Sequence, residues 1–153
     1  MNDSDDLLSP SLGGSKAPAT AIYTATTGYV AAFLGGPVAG AIIALLNARR
    51  LQRLSKDWPL ALLAVALLYT FLWWELRSGG DEWLVSHLGR TGPSALYTVV
   101  GLLFFCGTYL LHYTSYRSMQ ILGLKAPSGW VPGVVAVIIG VGVRYALTSI
   151  LQT

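Results

Sequence analysis

The sequence predicts an all-α membrane protein, with four transmembrane helices in an antiparallel up-down bundle. Three observations lead there. Of 153 residues, 54% are hydrophobic and only 11% are charged, less than half the ~25% typical of a soluble domain. The charges are bunched, leaving apolar runs of roughly 18–25 residues, the length a ~30 Å hydrocarbon core requires of a helix. The runs are continuous rather than alternating, which disfavours a β-barrel. Helices satisfy their own backbone in lipid.

Residues 1–20 (MNDSDDLLSPSLGGSKAPAT) are polar and rich in Ser, Gly and Pro. Asp3, Asp5 and Asp6 stand where a signal peptide would carry positive charge, so this stretch reads as a disordered tail. Residues 21–153 form the four-span domain. The first span covers 22–46, and the second, 59–76, opens on Pro59, a residue suited to a first helical turn. The third covers 94–113 between Arg90 and Arg117. The fourth, 130–151, holds a single charge, Arg144. Trp58, Trp73, Trp74 and Trp130 fall near span ends, where an amphipathic indole prefers to sit. The segment from Asp81 to Leu88 reads as a short interfacial helix with Trp83 and Leu84 toward lipid.

Basic residues set the expected orientation. Arg49, Arg50, Arg53, Lys56, Arg117 and Lys125 fall in loops 47–58 and 114–129, against Lys16, Arg77 and Arg90 on the other face. The positive-inside rule then puts these two loops in the cytoplasm and both termini outside. The net charge of +3 serves orientation, so no nucleic-acid partner is expected. The lone Cys106 allows no intrachain disulfide.

Small residues recur every four positions in the first span, at Gly28, Ala32, Gly36, Gly40 and Ala44. On a helix they make a smooth face for close packing, within the chain or against a second copy. Pro37 cannot donate to the Phe33 carbonyl. The span is therefore either a kinked packing helix or a broken one whose freed backbone groups bind a solute or ion. The residues from Tyr23 through Phe33-Leu34-Gly35-Gly36-Pro37 and Ala39-Gly40 to Asn47 and Arg50-Leu51 resemble a group of small bacterial inner-membrane proteins. These share an FLGGPxAG segment in the first transmembrane helix. The resemblance implies a bacterial inner-membrane location and no activity.

Arg144 lies well inside the fourth span, where a charge is costly without a partner or a route to water. Equal-depth arithmetic along the second and fourth spans suggests an ion pair with Glu75. The alternative is that Arg144 snorkels alone to the headgroups. Tyr23, Thr24, Thr26, Thr27 and Tyr29, with Tyr97, Thr98, Tyr145 and Thr148, could together line a polar vestibule around that pair. Interhelical hydrogen bonding is the plainer role for such hydroxyls. At the inner ends, Asn47, Arg49, Arg50, His112, Tyr113, Tyr116 and Arg117 suit an interface with anionic headgroups. His87 with Asp81 and Glu82 has no metal-site spacing, and no phosphate-binding, zinc-protease or nucleophile-elbow motif occurs.

Neither catalytic residues, nor a metal, nor a cofactor is expected. The leading reading is a non-enzymatic multi-pass protein acting by helix packing or by binding a partner in the bilayer, a second copy or another membrane protein. The alternative is an oligomeric small-solute or ion transporter that uses the Gly35-Gly36-Pro37 break with Glu75 and Arg144.

Overall fold

A computed structural model describes residues 21–152, so the expected N-terminal tail lies outside the described residues. The described chain is all-α. Its helices are α1 (Ala25–Arg50), α2 (Leu54–Asp57), α3 (Pro59–Arg77), α4 (Gly80–Leu88), α5 (Gly92–Leu111), α6 (Tyr113–Ile121) and α7 (Trp130–Gln152). Four segments, α1, α2 with α3, α5 and α7, are long and apolar enough to cross a membrane. They match the four runs read from the sequence, and the fold is that of a multi-pass membrane protein. Leu103, Leu110, Ile138 and Ile150 are exposed on the outside of α5 and α7, a surface suited to acyl chains.

The first of these segments does not run straight. Gly36 has φ 71° and ψ −162°, outside any helical region, and splits α1 into arms 25–35 and 37–50. Backbone of that kind is open essentially to glycine alone. Pro37 then starts the second arm, where its missing N–H costs nothing. The arms fold back on each other. At their open end the Tyr23 N–H donates to Asn47 Oδ1 at 2.8 Å, and Asn47 Nδ2 donates to the Tyr23 carbonyl at 3.3 Å. An unbroken helix would hold these residues about 36 Å apart. Midway along the arms, a Cβ built on Gly40 lies 3.2 Å from that of Ala32. The element is a helical hairpin that enters and leaves by the same face.

Three through-going helices surround it. α5 runs from the hairpin tip to its base: Tyr97 meets Gly36, Gly101 meets Ala32, and Phe105 meets Gly28 and Gly40. Beyond it, Tyr116 of α6 reaches Asn47. α7 runs the other way, with Gly129 against Thr27 and Gly140 against Gly35 and Ala39. α3 does the same; Ala64 shares a core cluster with Ala41, while Leu68 and Leu72 share one with Val38 and Tyr97. Leu68 and Gly140 stand near the middles of α3 and α7, so the tip reaches mid-depth. Arms of about 16 and 21 Å agree with that.

This corrects the expected up-down bundle of four spans. Three helices pass through and the first segment turns back, so the described chain begins and ends on opposite faces. Tyr23 lies beside Arg50 on the face of the basic loops, whereas the carbonyl of Leu151 takes a hydrogen bond from Arg77 Nε at 3.1 Å on the other. The expectation that both termini share the face opposite the basic loops therefore fails for the described chain. The short helix read at Asp81–Leu88 is present as α4, but Leu84 is buried where α4 meets α5 instead of facing lipid. Trp83 is exposed as expected.

Candidate functional site

The chain's most unusual chemistry is gathered at the hairpin tip. Breaking a helix frees carbonyls at the end of one arm, and in an apolar interior each needs a donor. Tyr97 supplies one, its hydroxyl donating to the Gly35 carbonyl at 3.1 Å. That contact needs Gly36 to lack a side chain, because a Cβ there would fall on the Tyr97 ring. Close approach on the other sides also depends on glycine. A Cβ on Gly101 would stand 2.7 Å from the Ala32 carbonyl oxygen, and one on Gly140 would collide with the Gly35 carbonyl.

The small-residue ladder is thus consumed within the chain. Gly28 accepts the Phe105 ring, Ala32 and Gly40 face each other across the hairpin, and Gly36 receives Tyr97. The ladder is symmetric about Gly36, so folding there lays small residues on small residues. Phe105, 1% exposed, fills the space between arms and α5 and meets Tyr29 edge-on at 4.9 Å.

Because the hairpin stops at mid-depth, space remains beyond its tip. A cavity of about 440 Å³ lies there between α5 and α7. Leu34 and Val141 line its tip side, and Ser94, Tyr97, Thr98, Arg144, Tyr145 and Thr148 line the rest. The Arg144 guanidinium carbon sits 4.2 Å from the centre of the Tyr97 ring, a cation–π placement that holds the charge over the tip. A second cleft of about 490 Å³, between the first arm and the start of α7, has aliphatic walls that include Val30, Val134 and Ile138 and no charged side chain.

Glu75 is not at this cavity. It is buried on α3, at 8% exposure, and makes no ion pair within 4.0 Å among the described residues. Arg144 acts on it only at longer range. The expected Glu75–Arg144 contact is therefore replaced by Arg144 on Tyr97. Equal depth fixed the height of the arginine but not its azimuth, and Arg144 turns to α5. The broad hydroxyl vestibule also divides. Tyr97, Thr98, Tyr145 and Thr148 line the cavity, while Thr24, Thr26, Thr27 and Tyr29 lie toward the hairpin base on the opposite side of the tip. There Thr24 caps α1, accepting from the Thr27 N–H at 3.3 Å.

The hairpin base is closed by a polar clasp that joins Asn47, Arg50 and Tyr116, expected at the inner interface, to Tyr23, expected in the vestibule. Asn47, 1% exposed, donates to the Tyr116 hydroxyl at 2.9 Å as well as bonding Tyr23. Arg50 donates to the Ala21 carbonyl at 3.0 Å and to the Tyr23 hydroxyl at 3.1 Å. Burial pushes the Tyr116 phenol above its usual range, opposed by the Asn47 hydrogen bond. Nearby, His112 Nε2 lies 3.1 Å from Asp57 Oδ2, tying the end of α5 to the end of α2. An asparagine in register with the start of its own helix was the available signal for the clasp, but only after the reversal at Gly36 is known.

Comparison of the chain with protein-family models, curated proteins and solved structures gives no match.

Proposed function

We propose that this protein is a small-solute transporter of the bacterial inner membrane, with the hairpin tip forming the floor of a vestibule. The observation that carries the reading is the fold-back of α1, which brings a broken backbone to mid-depth beside a polar cavity holding Arg144. Non-helical backbone at that depth is tolerated where it is buried in protein or lines a water-filled cavity, and discontinuous helices often mark solute sites. The competing reading, association through the glycine face, loses its motive because that face is occupied by Phe105, Tyr97 and the second arm. A second copy completing the open side of the vestibule is consistent with the transport reading.

Orientation follows from charge. Arg49, Arg50, Arg53, Lys56, Arg117 and Lys125 lie on the face of the hairpin base, against Arg77 and Arg90 on the other. The positive-inside rule puts the base in the cytoplasm and the vestibule outside. On this reading an epitope ahead of residue 21 faces the cytoplasm and one after residue 152 faces out.

The test is flux into proteoliposomes, across a panel of small organic anions, inorganic cations and protons. Saturable flux that falls in Arg144→Gln, with helicity and elution volume unchanged, supports the reading. Absence of flux for every member of the panel overturns it.

A further inference from the structure

We infer that the vestibule is an oxyanion site, in which Arg144 binds a carboxylate or phosphate group above the hairpin tip. Arg144 is the one charged side chain lining a cavity of about 440 Å³, a volume within the ordinary range for small-ligand sites. Among the described residues no carboxylate lies within 4.0 Å of it, and its guanidinium carbon sits over the Tyr97 ring, 4.2 Å from the centre. Among the described residues, none of its N–H groups donates a hydrogen bond to protein, which leaves the guanidinium fork to a ligand. That rigid fork matches the two oxygens of a carboxylate or phosphate.

The surroundings suit the same class. Among the described residues, the hydroxyls of Thr98, Tyr145 and Thr148 make no hydrogen bond to protein, which leaves donors around the cation. Ser94 Oγ already donates to the Thr91 carbonyl at 3.0 Å, so it supplies the anion no proton and the donors are those three hydroxyls and Arg144. Other charges stand back from the cavity: Glu75 is buried on α3, where Arg144 and then Asp81 act on it at longer range, and Arg77 is engaged with Leu151. A bare guanidinium at this depth is costly, and a bound oxyanion offsets that cost.

The inference deepens the transport reading and rests on it for passage of the anion, but binding is measured without passage. The full-length protein in phosphate-free maltoside micelles is titrated calorimetrically with acetate, inorganic phosphate, tetramethylammonium and dihexanoyl-phosphatidylglycerol, at constant ionic strength. Saturable binding of acetate or phosphate, with none of tetramethylammonium, is the expected result. Arg144→Gln weakens it about tenfold or more, and Arg144→Lys, which keeps charge without the fork, falls between. If Arg144→Gln does not fold, the Thr98→Val/Thr148→Val double variant provides the comparison, with weaker binding expected. Binding of the phospholipid alone identifies the oxyanion as a headgroup, supporting the site while removing the transport reading. Failure of every anion to bind the parent protein, or equal binding by Arg144→Gln, overturns the inference.

Discussion

A cysteine pair across the hairpin distinguishes a reversal at Gly36 from a straight helix. The perturbation is Ala32→Cys with Gly40→Cys, in a Cys106→Ser background that removes the chain's single native thiol. The relevant Cβ positions are 3.2 Å apart, just short of the roughly 3.5–4.5 Å of a disulfide, so a small outward relaxation of the arms gives bonding geometry. In an unbroken helix, positions eight residues apart are about 12 Å distant, beyond bonding. The new side chain at Gly40 meets Phe105 Cβ at 3.5 Å, an ordinary contact. Membranes are oxidised with permeant iodine, denatured and alkylated with maleimide, and the intact mass is read. A bridged monomer takes up no maleimide until reduced. Monomers that still take up two maleimides after oxidation, or bridging only between chains, would refute the hairpin.

Three further outcomes follow from the same geometry. Gly36→Ala combines a backbone conformation reserved for glycine with a collision on Tyr97 and loss of its bond to Gly35. It should lower stability by about 3 kcal/mol, seen as an earlier midpoint in detergent unfolding. Asn47→Ala removes three hydrogen bonds at the hairpin base. It should cost about 3 kcal/mol by the same assay and speed proteolysis between residues 21 and 53. The raised Tyr116 phenol gives stability that is fully present below the ordinary tyrosine range and is lost above it, as pH rises through the raised value. Tyr116→Phe should flatten that alkaline loss in unfolding curves taken from pH 8 to 11.

Depth was legible in the sequence, and direction was less so. The apolar runs located α3, α5 and α7, because a greasy stretch of that length has one good solution in a bilayer. The same logic misled at α1, where a run long enough to cross doubles back instead. The punctuation was visible: Gly36 before Pro37 is a stop followed by a start. Whether such a break bends or reverses a helix depends on what receives the tip. Its receivers, Tyr97, Gly101 and Gly140, are distant in sequence, and no local pattern announces them. At the candidate site, sequence spacing gives the height of a side chain and not the side of the helix it leaves from. Arg144 and the break do adjoin one cavity, whereas Glu75 was assigned by height alone, and height leaves a helix free to turn.

Synthesis delivers the hairpin before the helices that seat its tip. The Gly–Gly–Pro segment leaves the ribosome first, while the tyrosine that satisfies Gly35 comes with α5 and the glycine that seats it comes with α7. To the insertion machinery the newborn segment offers the length and greasiness of an ordinary anchor. Its seating is thus a late event in biogenesis, and nascent chains that stop short of the last helix carry an unseated hairpin.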